Sequence, residues 1–167
     1  MSSNPILDDL TARIEKTWNE RDLDAAMELY TDDIMYRDFS TGRELHGIDA
    51  VRRHAAAVFR RFDMAWTVTA IQPFADVDGG IIFWNMRGGL IGAHASIDSY
   101  GLDYVLIRDG KFSRDDVYFD SAQLAPLALS LRDAPAIVRF GLSRFGLANA
   151  AKVARAMVAA TATRAVA

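Results

Sequence analysis

The sequence contains no cysteine, which excludes disulfide bonds, thiolate nucleophiles and cysteine–zinc sites. No apolar run approaches the ~20 residues that a membrane-spanning helix requires. The net charge of −3 gives no reason to expect a nucleic-acid partner. The first ten residues show no basic segment followed by an apolar run, so we predict no signal peptide and expect a cytoplasmic protein.

Metal-binding and phosphate-binding motifs are also missing. The three histidines, His46, His54 and His94, fall in separate predicted elements without the spacing of a metal site. The glycines around residues 88–92 do not form a G-x-G-x-x-G loop. We therefore predict no metal and no cofactor. Of the histidines, His54 is expected at the surface or boundary of a helix.

The N-terminal third predicts three helices and one strand. Apolar residues recur at helical spacing from Leu7 to Trp18, and a second short helix follows with Asp22 as its expected N-cap. The segment IMYRDF predicts a strand, and STGRELHG predicts a loop because it is rich in turn formers. A third amphipathic helix begins at Ile48, with arginines on its polar face.

After Asp63 the apolar pattern changes to a period of two, which is typical of strands. Four strands are predicted, and the last two are joined at RDGK, an Asp-Gly hairpin turn. Helices first and strands afterwards indicate an α+β fold, with a curved antiparallel sheet against three N-terminal helices. We assign residues 1–125 to this domain.

Residues 126–167 differ in composition. After Asp133 there is no acidic residue, while arginine and lysine continue among alanine, leucine, valine and phenylalanine. This pattern predicts an amphipathic helical extension with a basic side. The extension is expected to pack on its own domain or on a dimer partner. A lid over a pocket and contact with an anionic membrane are the alternatives.

The segments WNERDLDAAMELYTDD, IMYRDF, GIDAVRRH and DGKFSRDDVYFD together resemble the nuclear transport factor 2-like superfamily. This superfamily includes SnoaL-like polyketide cyclases, ketosteroid isomerases and limonene epoxide hydrolases. The resemblance covers roughly residues 6–125. It implies a cone in which a curved sheet wraps around helices and encloses a deep apolar pocket, and it also implies a homodimer formed through the outer sheet face.

The resemblance implies different site residues in different branches. Where the epoxide hydrolases carry an Asp–Arg–Asp triad, this sequence has Trp84, Met86 and Val117, so that activity would need a rebuilt site. Asp38 and Asp103 match the general base and the hydrogen-bond-donating acid of the ketosteroid isomerases. The first-helix tyrosine of those isomerases is replaced here by Ile14.

The residues themselves support an acid–base interpretation. Tyr36 and Asp38 are two positions apart on a predicted strand and should share a face. Asp103 lies in the apolar run YGLDYVLI, where burial would raise its pKa and keep it protonated. A less buried Asp38 would stay ionised and accept a proton. Tyr36 would orient Asp38 or the ligand, and His94 is a further candidate at the cavity mouth.

Apolar side chains should complete the ligand site. Trp84 and Met86 are the preferred candidates because they share a strand face. The expected contacts to the ligand are Trp18, Phe59, Phe62, Trp66, Trp84, Met86, Val117 and Phe119.

The sequence thus favours a cofactor-independent isomerase, cyclase or dehydratase acting on a small apolar carbonyl compound. The alternatives are a non-catalytic domain that binds an apolar ligand or a protein, and an epoxide hydrolase with a rebuilt site. Another tyrosine, Tyr30, Tyr100 or Tyr118, is available to substitute for the one missing at Ile14.

Overall fold

The computed structural model describes residues 4–94 and 96–124. The helices are α1 (Pro5–Glu20), α2 (Leu23–Met27) and α3 (Ile48–Phe59), and a short 3-10 helix covers Ser121–Leu124. The strands are β1 (Tyr30–Asp38), β2 (Arg43–His46), β3 (Phe62–Pro73), β4 (Gly79–Leu90), β5 (Ile97–Arg108) and β6 (Lys111–Phe119). The predicted extension at 126–167 lies outside the described residues.

The helix boundaries follow from local chemistry. The Asn4 side chain accepts a hydrogen bond from the Leu7 amide at the start of α1, where Pro5 occupies the first helical position. Asp22 caps α2 by accepting from the Ala25 amide at 3.0 Å, as predicted. Each cap satisfies a backbone N–H that has no partner inside the helix.

All six strands form one sheet in the order β2-β1-β6-β5-β4-β3. The neighbours are antiparallel except β1 and β6, which are parallel. The predicted RDGK turn joins β5 to β6, and both of its central residues, Asp109 and Gly110, have positive φ, as a tight hairpin requires. The α+β prediction is confirmed.

The prediction of a loop over STGRELHG is wrong for its second half. Residues Arg43–His46 form β2, which pairs with β1 in the register Tyr36↔Leu45 and Asp38↔Arg43. The four residues of β2 alternate between half-buried and exposed. Such a short strand carries too little periodicity to be recognised without its partner.

The helices cover one face of the sheet, called the inner face below, and the core lies between them. Alternate residues of the central strands are buried there, among them Ile34, Tyr36, Ile82, Trp84 and Val105. Buried side chains from α1, α2 and α3 complete the same apolar cluster. Within residues 4–94 and 96–124, no helix is both long and apolar enough to span a bilayer.

Candidate active site

A cavity of about 120 Å³, measured as the space open to the centres of water-sized molecules, lies between the inner face and the helices. Its wall is mainly aromatic and aliphatic, with a few convergent polar groups. This composition is typical of a site for a small organic molecule. Its carboxyl groups are Asp38, Asp103 and Asp115.

The strand register brings Asp38 and Asp103 into one row. Val117 of β6 pairs with Asp38 on one side and with Asp103 on the other. Two strand spacings separate the two aspartates, which places their Cα atoms about 10 Å apart. Both side chains lie on the inner face and line the cavity. They are close enough for one small ligand to touch both.

Asp38 is held by the turn that follows β1. Its carboxylate accepts hydrogen bonds from the Ser40 hydroxyl, from the Thr41 amide at 3.1 Å and from the Thr41 hydroxyl at 2.6 Å. The expectation that Asp38 is less buried than Asp103 is wrong, since the exposed fractions are 5% and 8%. Ser40 and Thr41 fold back over the carboxylate and shield it.

The neighbouring arginine Arg37 points to the other side of the sheet. Its guanidinium binds both carboxylate oxygens of Asp116, at 2.8 and 2.6 Å. Arg114 binds the same carboxylate. The alternation of side chains along β1 and β6 therefore separates an outer ion-pair cluster from the acidic inner face.

Asp103 is a buried carboxyl group of the cavity wall. Burial raises its pKa well above the usual value, and the negative charges of Asp115 and Asp38 raise it further. The Trp84 indole N–H donates to Asp103 Oδ1 at 2.9 Å and opposes this rise. Because the indole occupies Oδ1, the proton of the neutral acid belongs on Oδ2.

Asp115 was not predicted from the sequence. It pairs with Tyr36 and with Val105, two residue pairs along the strands from the Asp38–Val117–Asp103 row. The Tyr30 hydroxyl donates to Asp115 Oδ2 at 3.3 Å. Burial raises the pKa of Asp115 to about 7, with a smaller contribution from Asp116, while the Tyr30 hydrogen bond acts in the opposite direction.

Of the three tyrosines expected as replacements for the one missing at Ile14, one lies in the cavity. Ile14 itself lines the wall with an apolar side chain. Of the three other tyrosines considered, Tyr30 lines the cavity and is 2% exposed, whereas Tyr100 and Tyr118 are exposed. Burial and Asp115 raise the pKa of Tyr30 well above its usual value, so it remains a hydrogen-bond donor.

Histidines are placed differently from the prediction. His54 is buried, lines the cavity and packs against the Tyr36 ring at 5.3 Å, so the expectation of a surface or boundary position is wrong. Its Nδ1 lies 3.4 Å from an Arg43 nitrogen. His94 is exposed in the loop after β4 and does not contribute to the cavity wall.

Seven of the eight predicted apolar contacts line the cavity. The exception is Phe59, which packs edge-on behind Trp18 at 5.1 Å and supports the wall from outside. Trp18, Trp66 and Trp84 form a stacked series, with successive ring centroids 5.6 and 4.6 Å apart. The Trp66 indole N–H is buried without a partner among the described residues and is available to a ligand.

Two of the missed polar residues had a recognisable pattern. His54 lies three residues after Val51 and four before Val58, on the apolar face of α3. Asp115 lies two residues before Val117, which was expected to face the ligand, so strand alternation places it on the same face.

Within the described residues, no three His, Asp or Glu side chains are grouped so as to hold a metal ion.

Comparisons with solved structures show the fold. A Catenulispora acidiphila protein with a ketosteroid isomerase-like fold, solved with trimethylamine, is 18% identical, with a TM-score of 0.63 over 70% of this chain and 90% of that one. TerC, co-crystallised with polyporic acid, is 17% identical, with a TM-score of 0.61 over 73% and 97% of the two chains.

An NTF2-like protein of unknown function from an Exiguobacterium species is 22% identical, with a TM-score of 0.58 over 66% of this chain and 98% of that one. No curated protein matches the sequence. The profile of the SnoaL-like domain matches residues 11–115. These residues include α2, α3, all of β1–β5 and the cavity carboxyl groups, and the chain belongs to the SnoaL-like domain family.

Proposed function

We propose that the protein is a cofactor-independent acid–base enzyme that acts on a small apolar carbonyl compound. The observation that carries the proposal is that Asp38 and Asp103 line one buried, mainly apolar cavity. Two carboxyl groups in different environments can hold different protonation states, as acid–base catalysis requires. The co-crystallisation of TerC with polyporic acid is consistent with a small organic ligand in this fold.

Asp38 is assigned the role of the base. Its carboxylate is fixed by Ser40 and Thr41, so it is oriented before a ligand arrives. It removes a proton from the carbon beside the carbonyl group. The electron pair of the broken C–H bond moves towards the carbonyl oxygen, which becomes an enolate.

Asp103 is assigned the role of the hydrogen-bond donor to that oxygen. Burial keeps it protonated, and the Trp84 indole N–H fixes the carboxyl group through Oδ1. The Oδ2 hydroxyl then donates to the developing negative charge. A donor in a site that excludes water stabilises such a charge more strongly than water does. Tyr36 and His54 pack together beside Asp38 and help to position the ligand.

Epoxide hydrolysis is not favoured by these residues. Trp84, Met86 and Val117 line the cavity at the positions where the resemblance implies the water-activating triad. None of the three side chains can accept a proton from water. The non-catalytic binding alternative uses the same cavity and is separated from catalysis by experiment.

The test measures exchange of the carbon-bound protons beside the carbonyl of benzylacetone in deuterated buffer, followed by NMR. The wild-type protein is expected to accelerate the exchange over buffer alone. Asp38→Asn removes the base and should lower the rate by about 10²- to 10⁴-fold.

The matched control is Asp32→Asn, an exposed carboxyl group on the same strand, which should exchange at the wild-type rate. If Asp38→Asn exchanges as fast as the wild type, Asp38 is not the base. Binding of benzylacetone without any accelerated exchange would instead support the binding domain.

A further inference from the structure

Asp115 is a third carboxyl group in the cavity, and the proposed reaction has not used it. On β6 it precedes Val117 by two residues, and Val117 is paired with both Asp38 and Asp103. Asp115 is therefore a diagonal neighbour of both across the sheet, at a distance of about 7 Å between Cα atoms. The three carboxyl groups form a triangle around Val117 on the inner face.

The two oxygens of Asp115 have different environments. Oδ2 accepts the hydrogen bond from Tyr30. Oδ1 is buried and has no hydrogen-bond partner among the described residues. Buried carboxyl oxygens are normally hydrogen-bonded. An unpartnered oxygen on a cavity wall is suited to a polar group of the ligand.

Near neutral pH, Asp115 is present in both its protonated and its ionised form. The titratable groups that line the cavity with it are Asp38, Tyr30 and Tyr36 of β1, Asp103 of β5 and His54 of α3. Asp116, the next residue on β6, adds its negative charge. Burial raises the pKa of Asp115 to about 7. A carboxyl group that titrates near neutral pH can give up its proton during turnover and regain it afterwards.

We propose that Asp115 protonates a hydroxyl leaving group, and that the substrate is therefore a β-hydroxycarbonyl compound that loses water. The inference rests on the proposed function for the roles of Asp38 and Asp103. It adds a second polar group to the substrate and selects dehydration among the isomerase, cyclase and dehydratase types.

The step is balanced. Asp38 takes the proton from the carbon between the carbonyl and the hydroxyl-bearing carbon, and the enolate forms against Asp103. The enolate electrons then form the carbon–carbon double bond while the C–O bond breaks. The leaving oxygen takes that bond's electron pair and the proton of Asp115, which gives water. Asp38 ends protonated and Asp115 ionised, and exchange of one proton with solvent at each group restores both.

The experiment compares two probes. The aldol adduct of benzaldehyde and acetone carries the β-hydroxyl group, and its dehydration to benzylideneacetone is followed by ultraviolet absorbance. Benzylacetone lacks the hydroxyl group and reports proton removal alone, through deuterium exchange. Asp115→Asn is expected to lower dehydration at least about 100-fold more than it lowers exchange. Asp38→Asn should lower both reactions to a similar extent.

Tyr30→Phe gives a second readout, the pH dependence of dehydration. This pH dependence would not shift if Asp115 had only a structural role. The Tyr30 hydrogen bond lowers the pKa of Asp115, so its removal raises that pKa. Dehydration needs protonated Asp115 and is lost as the pH rises through the pKa. In Tyr30→Phe this loss should move to higher pH, because the acid keeps its proton longer.

Three outcomes overturn the inference. The first is an equal loss of both reactions in Asp115→Asn, and the second is a dehydration profile that Tyr30→Phe leaves in place. The third is a wild-type protein that exchanges benzylacetone but does not dehydrate the aldol adduct, which leaves the proposed function intact. A wild-type protein that does neither removes the inference and the proposed function together.

Discussion

Asp115→Asn is expected to raise the free energy of unfolding above pH 7, by up to about 4 kcal/mol. The pKa of Asp115 rises from 3.8 to about 7 on folding, and each pKa unit corresponds to about 1.4 kcal/mol. The folded state therefore binds the proton more tightly than the unfolded state does. Asn is neutral at every pH and removes the cost of burying the charged form.

The sign of the pH dependence follows from linkage. The stability that the protonated Asp115 contributes is fully present below about pH 4 and is lost as the pH rises through about 7. Asp103 acts in the same direction, since burial also raises its pKa. Asp33, whose pKa is lowered by Thr31 and Arg108, stays ionised between pH 5 and 8 and does not oppose the trend.

Urea unfolding of the wild type and of Asp115→Asn from pH 5 to pH 8 measures this effect. The difference between the two proteins should grow with pH, and the wild type should lose stability across the range. Asp32→Asn, at an exposed position on β1, should stay within about 0.5 kcal/mol of the wild type. A wild type that gains stability as the pH rises would contradict the raised pKa.

Such a result would also explain why an acid occupies this position. A buried carboxyl group that weakens the fold is retained where it serves a reaction. A more stable Asp115→Asn protein with impaired dehydration would show both effects of the same group.

Gly101→Ala is expected to destabilise the protein by about 3 kcal/mol. An ideal Cβ at Gly101 would lie 2.5 Å from Cζ2 and 2.6 Å from Cη2 of Trp84, and 2.6 Å from the Tyr118 carbonyl oxygen. The Tyr118 backbone is fixed by the pairing of β5 with β6. The indole must therefore move, and its N–H would be drawn away from Asp103.

Thermal unfolding measures the loss, and two variants isolate its cause. Gly92→Ala has nothing within 4 Å of the new Cβ and should cost only about 1 kcal/mol for its left-handed backbone. Phe lacks the indole atoms that clash, so Trp84→Phe should cost less in the Gly101→Ala background than in the wild type. Identical costs of Trp84→Phe in both backgrounds would refute the contact with the indole.

Local chemistry made most of the fold predictable from the sequence. The Asp22 cap, the apolar face of α3 and the Asp-Gly turn each depend on residues close together in the chain, and each is confirmed. Strand β2 was missed because its four residues are held by pairing with β1. The parallel pairing of β1 with β6 was not anticipated, since it joins distant segments.

The site was predictable where it depends on the alternation of side chains between the two faces of a strand. This alternation places Tyr36 and Asp38 on one face, and both line the cavity. In the RDDV segment the same alternation separates Asp115 on the inner face from Asp116 in the outer ion-pair cluster. The depth of Asp38 could not be predicted, because it depends on how Ser40 and Thr41 fold back.

The β1–β6 pairing also governs when the cavity can form during synthesis. Arg37 and Asp116, which pair across these strands, are 79 residues apart in the chain. At a translation rate of 5–20 residues per second, β6 leaves the ribosome about 4 to 16 s after β1. Until then one edge of β1 is unpaired, and Asp38 does not yet share a cavity with Asp103 and Asp115. The nascent chain must therefore keep an unpaired strand edge soluble for seconds, and this edge is open to aggregation and to chaperone binding during that time.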